Sequence, residues 1–194
     1  VQRVKRGDRW VERKRHTRND AGQITGLKLK EAKLEKNDFV VIGALQHLET
    51  LELTRTTVTN DDLKHLVGLK SLRALKLDWN RSIGDPGIAH LGKILSLKTL
   101  DLRLTKVTGK GLGALVKLKN LRHLDVNDSP VDDVGLKHIA QLDKLEVLHI
   151  GGTRITDKGL HHLKGLKNLR GLTLEETGVT HEGLNYLAKF PRFT

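Results

Sequence analysis

The chain has 194 residues, a formal net charge of +12, and neither cysteine nor methionine. This length suits one domain. The missing cysteines exclude disulfide caps and thiolate metal sites, and no run of about eighteen or more apolar residues is present to span a membrane. Because the chain begins at Val1 and lacks Met, we expect processing or excision from something longer, and the sequence assigns no cellular compartment.

Residues 1–23 form a basic segment that we expect to cap the amino end of the remaining chain. Residues 1–20 carry eight basic and three acidic side chains. Two stretches, Trp10–Arg15 and Gln23–Leu29, flank the turn-rich Asn19–Gly22, a pattern typical of a hairpin. We expect Trp10 to cover the apolar end of the first repeat.

Residues 24–194 repeat with a period of 24 residues, and each of seven units opens on a Leu-x-[Leu/Val/Ile] step. The leading residues are Leu27, Leu51, Leu75, Leu100, Leu124, Leu148 and Leu172. In the sixth unit the predicted inward positions are Leu148, Ile150, Ile155, Leu160, Leu163, Leu166 and Leu169. Every unit places Leu, Ile, Val or Phe at these positions, including Leu34 in the first and Leu184 in the last. The chain is therefore a stacked repeat protein.

Each unit changes periodicity partway, which predicts strand, turn and short helix. The predicted first helical residues carry side-chain oxygens that would accept the unpaired amides of the first turn. These residues are Thr59, Thr108, Asp132, Thr156 and Thr180. Pro86 falls in a first turn, where it is tolerated. One extra residue in the third unit predicts a bulge around Trp79 to Ser82.

The repeat Leu145-x-x-Leu148-x-Ile150 resembles the core of the leucine-rich repeat family, and the likeness extends from Ile24 to Phe193. The turn Gly152–Leu160 is similar to a short bacterial subclass with Thr where relatives carry Asn or Cys. The resemblance implies an α/β fold, a right-handed solenoid with a parallel sheet on the concave face and short helices on the convex face. It also implies a ladder of polar side chains inside the turns, formed by Thr56, Asn80, Thr105, Ser129, Thr153 and Thr177. Ala32 cannot join this ladder, so we expect a looser first coil.

The last repeat is predicted to act as the carboxyl-terminal cap. Phe190 and Phe193 fill inward positions with larger rings, and Pro191 discourages continuation of the helix.

No enzyme motif is present, so we expect a protein without catalysis and without a cofactor. Gly111, Gly135, Gly159 and Gly183 recur at the repeat period and form no phosphate-binding loop, so their role is structural. A polar column across adjacent strands is the strongest catalytic or metal candidate. It contains Asp101, Asp125 and His149, with His123 and Asp128 nearby. A solvated column on an exposed sheet face is the favoured interpretation, and His161 and His162 are likewise predicted to face solvent.

The concave face is the predicted binding surface for another protein, which is the use the family resemblance implies. Its columns hold five basic and eight acidic side chains, so the excess positive charge lies elsewhere. Trp79 and Leu104 share a column and would form an apolar centre within a charged rim; the alternative is that Trp79 packs locally over the bulge. The predicted contacts are Arg55, Lys76, Asp78, Trp79, Asp101, Arg103, Leu104, Asp125, Asp128, His149, Glu175 and Glu176.

A second hypothesis places function on the basic surface, which would hold an anionic polymer or a membrane surface. The amino-terminal cluster would act with a basic edge made of Lys70, Arg73, Lys98, Lys119, Arg122, Lys167 and Arg170. Asp143 and Glu146 interrupt this edge, aromatic residues for base stacking are nearly absent, and cations after helices also offset the helix dipole. Weak, salt-sensitive attraction to polyanions is the expected form.

A third hypothesis makes the array the recognition arm of a larger kinase, ubiquitin ligase or effector, which the family resemblance permits. We expect the repeat array itself to be monomeric.

Overall fold

The structure, a computed structural model, describes residues 3–6, 9–12 and 15–187. Its main sheet has eight strands in the order β10-β9-β8-β7-β6-β5-β4-β3. The strands are β3 (Arg15–Arg18), β4 (Ile24–Lys28), β5 (Thr50–Glu52), β6 (Ala74–Lys76), β7 (Thr99–Asp101), β8 (His123–Asp125), β9 (Val147–His149) and β10 (Gly171–Thr173). Strands β4 to β10 are parallel, and β3 pairs with β4 in the antiparallel sense. A separate hairpin joins β1 (Arg3–Arg6) to β2 (Arg9–Glu12).

At least one helical segment follows each parallel strand, so the chain winds through seven coils that we number 1 to 7 from β4 to β10. The α-helices are α1 (Lys36–Gly43), α2 (Asp85–Leu91), α3 (Asp133–Ile139), α4 (Asp157–Leu160) and α5 (His181–Leu187). Three 3₁₀ segments also lie between successive strands, at Asp62–Leu66, Gly111–Lys117 and His161–Gly165. Parallel strands joined through helices take the right-handed crossover. The predicted α/β solenoid, with a parallel sheet and short helical segments, is confirmed.

The core is a stack of apolar side chains that runs the length of the solenoid. The register aligns the leading leucines, since Leu100 pairs with Leu124 and Leu124 with Leu148. In coils 2 to 6 every predicted inward residue is buried. Packing between neighbouring coils therefore supplies the stability that no single coil could supply.

The two ends of the stack are less well covered. In coil 1, Leu34 and Leu45 are only partly buried and help to line an apolar cavity of about 180 Å³. In coil 7 the predicted inward residue Leu184 is 50% exposed, which corrects the sequence interpretation, because no described coil packs against it. The predicted cap residues Phe190, Pro191 and Phe193 lie outside the described residues, as does the side chain of Trp10.

An antiparallel hairpin borders the sheet at its amino end. Strand β3 turns into β4 through Asn19–Gln23, where Asn19 N donates to Gln23 O at 3.0 Å. Gly22 has φ of +75°, a conformation that glycine adopts without steric cost. The paired strand thus begins at Arg15 and lies later in the chain than the predicted Trp10–Arg15. The division at residue 23 stays a prediction.

The polar side chains expected inside the turns do bind the backbone. Thr105, Thr153 and Thr177 each donate to the carbonyl three residues earlier, at 2.6 to 2.7 Å. Asn80 donates to Leu53 O of the previous coil and to its own Leu77 O, both at 2.8 Å. This ladder satisfies buried carbonyls and ties one coil to the next.

The prediction for the helix starts was wrong in its main point. Neither Asp132 nor Thr156 caps its own helix with its side chain. Instead Thr156 donates backward from N and Oγ1 to the Asp133 carboxylate, at 2.8 and 2.7 Å. Thr108 binds Asp85 in the same way, and Thr180 binds Asp157, although Thr180 also accepts one capping bond from Glu182 N. These carboxylates therefore act as clamps between coils.

The repeating glycines make room for these clamps. A Cβ at Gly159 would lie 2.2 Å from Asp133 Oδ1, and one at Gly183 would lie 2.1 Å from Asp157 Oδ1. Hydrogen bonds from the Thr180 hydroxyl and amide lower the pKa of Asp157 below its ordinary value, so the carboxylate stays charged.

The extra residue of the third unit sits later than predicted. Trp79 and Asn80 occupy regular positions, since Trp79 N donates to Arg103 O at 2.9 Å just as Arg55 N donates to Asp78 O at 3.0 Å. The insertion is confined to Arg81–Ser82, and the Ser82 hydroxyl donates to Val58 O at 2.5 Å.

In the part of the chain that the structure describes, each helix is too short or too polar to cross a bilayer.

Replacement of Leu148 tests the inward column. Leu148 is fully buried between coils 5 and 7, so Leu148→Ala should lower the free energy of unfolding by about 2–5 kcal/mol through lost burial and a residual cavity. Urea denaturation measures this loss. The matched control is Leu95→Ala, at a leucine that is 57% exposed, where a change within about 0.5 kcal/mol is expected. Equal midpoints for the wild type and Leu148→Ala would contradict the assignment.

Candidate functional site

Strand register sorts the concave face into columns that run along the solenoid. The residue after each leading leucine points outward, and adjacent strands lie about 4.8 Å apart. The first column is Lys28, Glu52, Lys76, Asp101, Asp125, His149 and Thr173. Two positions further along each coil, a second column contains Lys30, Thr54, Asp78, Arg103, Asn127, Gly151 and Glu175.

The third column has a left-handed backbone in every coil. Its members are Glu31, Arg55, Trp79, Leu104, Asp128, Gly152 and Glu176, with φ between 54° and 64°. Glycine costs nothing in this conformation, as at Gly152, whereas a bulky side chain there is a genuine outlier. Trp79 (φ 63°) and Leu104 (φ 55°) are the two large apolar residues that bear this strain.

Trp79 and Leu104 sit side by side in this column, as predicted. The Trp79 ring is 49% exposed, and the Arg55 guanidinium lies over it at 5.7 Å from the centroid, a cation–π arrangement. Leu104 is partly buried in the next coil. The Trp79 backbone is in register with the other coils, since Trp79 N donates to Arg103 O; the alternative that its ring packs over the bulge stays a hypothesis.

A polar network of Thr54, Asp78, Asp101 and Arg103 lies on the concave face near Trp79. The Thr54 hydroxyl donates to Asp78 Oδ1 at 2.7 Å, and Arg103 Nη2 lies 3.3 Å from Asp101 Oδ2 and 3.8 Å from Asp78 Oδ2. Asp78 and Asp101 are buried, in contrast to the exposed positions expected from the sequence. Both carboxylates are therefore engaged within the protein, Asp78 by Thr54 and Arg103, and Asp101 by Arg103.

Asp101 is the most perturbed carboxyl of the face. Its pKa is raised to about 6, mainly by burial and also by the neighbouring Asp125 and Asp78 charges, whereas the Arg103 amide and guanidinium act in the opposite direction. The carboxyl thus titrates close to neutral pH.

The column of Asp101, Asp125 and His149 has the register that the sequence predicted. Asp125 accepts from Asn127 N at 2.9 Å, and His149 Nδ1 lies 3.2 Å from Thr173 Oγ1. Within the described residues, no group of three or more His, Asp or Glu side chains is placed to hold a metal ion. The polar column is thus a set of local hydrogen bonds around a shallow depression, and His161 and His162 are exposed on the helical side.

The remaining predicted contacts differ in exposure. Arg55, Lys76, Asp128, Glu175 and Glu176 are exposed, and Asp125 and His149 are partly buried. Sequence reasoning missed Thr54, Asn127 and Thr173. Thr54 donates to the Asp78 carboxylate, Thr173 bonds the His149 imidazole, and Asn127 accepts from the Gly151 amide. Their column positions were readable from the repeat, but small polar residues at outward positions carry no charge signal.

The basic edge lies where the strands begin. Backbone bonds join its residues coil by coil, as Lys98 N donates to Arg73 O at 2.7 Å and Arg122 N to Lys98 O at 2.8 Å. Glu146 takes the same position in coil 6, bonds to Arg122, and lies 2.8 Å from Arg170 Nη2. Hydrogen bonds from Arg122 lower the pKa of Glu146. The interruption foreseen from the sequence thus neutralises part of the edge.

Comparisons with known proteins agree with this geometry. Residues 68–92, 94–116, 117–140 and 142–163 match the family described as Leucine Rich repeat. The chain is a leucine-rich repeat protein. Leucine-rich repeat proteins generally mediate protein–protein interactions and are typically non-enzymatic binding modules. No curated protein matches the sequence significantly.

Solved leucine-rich repeat structures share the fold. Internalin C2 from Listeria monocytogenes str. 4b F2365 is 22% identical, with a TM-score of 0.68 over 86% of this chain and 78% of the internalin. The PEPR1–AtPEP1 structure is 18% identical, with a TM-score of 0.62 over 90% of this chain and 25% of that one. The plant peptide hormone receptor RGFR1, in complex with RGF2, is 18% identical, with a TM-score of 0.54 over 79% of this chain and 24% of the receptor. This leucine-rich repeat array thus spans about a quarter of the latter two chains.

Neutralising Asp101 should change how stability depends on pH. Because the folded-state pKa is raised to about 6 from 3.8, the protonated form favours folding, and this contribution is lost as pH rises through about 6. Asp101→Asn should therefore raise the melting temperature relative to the wild type more at pH 8 than at pH 4. Thermal melts across this range measure the difference. A constant offset at all pH values would contradict the raised pKa.

Relief of left-handed strain should stabilise the protein. Glu176 is exposed with φ of 55°, so Glu176→Gly should raise the free energy of unfolding by about 0.5–1 kcal/mol, the steric gain less the entropy cost of glycine. The adjacent exposed Glu175 has no positive φ, and Glu175→Gly should destabilise instead. Denaturation of both variants gives the comparison, and a loss of stability in Glu176→Gly equal to that in Glu175→Gly would refute the argument.

Proposed function

We propose that this leucine-rich repeat array is a binding module without catalysis that docks another protein on its concave face, with Trp79 and Leu104 as the apolar anchors. One observation carries the proposal: two large apolar side chains, adjacent along the solenoid, occupy left-handed positions where glycine would be less strained. Strain of this kind persists where the surrounding structure fixes it, and it concentrates at functional sites.

The surroundings of Trp79 suit an interface centre. An aromatic ring that is half exposed and held by Arg55 offers contact area with little entropy to lose. Charged side chains share the depression around it, at Lys30, Glu31 and Arg103. An apolar centre with a polar rim is the usual distribution of binding energy at protein interfaces.

The concave face is more basic in coils 1 to 3 and more acidic in coils 4 to 7, and this difference indicates how a charged partner would be oriented. The columns of coils 1 to 3 contain Lys28, Lys30, Arg55 and Lys76 against three acidic residues. Those of coils 4 to 7 contain Arg103 against Asp101, Asp125, Asp128, Glu175 and Glu176. We therefore expect the partner to present basic side chains to coils 5 to 7, where the acidic residues are the more exposed.

The solved similar structures support a binding role at the level of the family. RGFR1 is described in complex with RGF2, as a plant peptide hormone receptor. This chain shares the fold with that receptor, and the proposal for its own partner depends on Trp79 and Leu104.

The double variant Trp79→Ala, Leu104→Ala tests the proposal. Affinity capture from a cell extract identifies a protein held by the wild type, and calorimetry then measures the affinity of the purified pair. Loss of two anchors should weaken binding at least about thirtyfold, with little dependence on salt.

Val40→Ala, Val134→Ala is the matched control. It removes two exposed apolar side chains from helices α1 and α3, outside the columns of the concave face, and should leave the affinity unchanged. A partner that binds the wild type and the Trp79→Ala, Leu104→Ala variant equally would eliminate these anchors.

A further inference from the structure

A second surface lies on the side of the solenoid where the strands begin. It contains five exposed cations in coils 3 to 5, which we call the cationic flank: Lys70, Arg73, Lys98, Lys119 and Arg122. They come from the turns that precede β6, β7 and β8. Parallel strand order thus collects them on one side of the molecule.

Backbone hydrogen bonds fix the spacing of the flank. Arg73, Lys98 and Arg122 follow one another through the N–H···O bonds between coils, so their Cα atoms are about 4.8 Å apart. Cations held this close repel one another, and this repulsion is relieved by an anionic surface.

An acidic residue borders the flank at each end. Arg73 N donates to Glu49 O at 2.8 Å, so Glu49 occupies the next position of the row, and Glu146 pairs with Arg122 at the other end. Lys119 Nζ donates to Gln141 O at 2.9 Å. Among the residues that the structure describes, Lys70, Arg73 and Lys98 form no ion pair. Three adjacent charges therefore remain available to a partner.

An apolar side chain lies within this group of cations. Leu95 takes the turn position that Lys70 and Lys119 take in the flanking coils, and it is 57% exposed. A row of cations with a projecting leucine suits a layer of anionic headgroups above acyl chains. Nucleic acid is the weaker fit, because these turns offer no aromatic ring on which bases could stack.

We propose that the cationic flank binds an anionic lipid surface, with Lys70, Arg73 and Lys98 on the headgroups and Leu95 inserted between them. In this orientation the sheet stands edge-on to the bilayer and its concave face stays open to a protein partner. Lipid binding and partner binding thus use separate residues.

Vesicle co-sedimentation tests the inference on the full chain. The probes are phosphatidylcholine vesicles with and without phosphatidylserine, at low and at high salt. The wild type should sediment with the phosphatidylserine vesicles alone and should be released by salt. Lys70→Gln, Arg73→Gln, Lys98→Gln should weaken the partition at least about tenfold.

Two further variants separate the flank from general positive charge. Lys93→Gln, Lys117→Gln, Lys137→Gln removes the same charge from exposed lysines in or just after the helical segments and should reduce binding much less. Leu95→Ser leaves the charge unchanged and should still weaken binding severalfold. Thermal melts confirm that each variant is folded.

Three results would overturn the inference. One is no sedimentation with phosphatidylserine vesicles at low salt. Another is an equal loss for the two triple variants. The third is binding of duplex DNA or heparin that depends on the flank, in the absence of vesicle binding.

Discussion

The stacking of identical coils is the constraint on which the whole structure depends. A single coil has one strand and one short helix and cannot bury its own leucines. Leu124 and Leu148 become inaccessible to water only because each lies between two further copies of the same position. Everything that locks a coil to its neighbour, from the turn ladder to the Asp133–Thr156 clamp, serves this packing. The spacing of the surface columns follows from this packing of one coil on the next.

Most of the fold could be predicted from the repeat period, because stacked coils need the same residue type at the same position in each unit. The inward leucines, the strand positions and the polar turn residue were all predictable on this basis. The helix starts were not, because Thr156 has the same composition signal whether it caps its own helix or binds Asp133 of the coil before. Only the position of the Asp133 carboxylate in the folded protein distinguishes the capping role from the bond to the previous coil. Leu184 was misassigned because a repeat pattern does not say what covers the final coil.

The candidate site also has features that the repeat predicts and features that it does not predict. The columns, including the adjacency of Trp79 and Leu104, follow from the register and could be read from the chain. The burial of Asp78 and Asp101 could not, because it depends on where the long Arg103 side chain lies after folding. The left-handed backbone of Trp79 is a property of the repeat, since every described coil has it at this position, but hydrophobic periodicity alone does not reveal it. The coils differ in the side chain that each places there.

The Arg81–Ser82 insertion shows how local a change of length can be. Just before the insertion, Asn80 makes its regular bond to the backbone of the previous coil, and just after it Ile83 is fully buried in the core. The strands on either side keep their pairing, with Leu75 opposite Leu100. Loops that come after the ladder residue can therefore lengthen during evolution while the columns of the sheet stay in alignment. Loop length and the recognition surface are free to vary independently in such a protein.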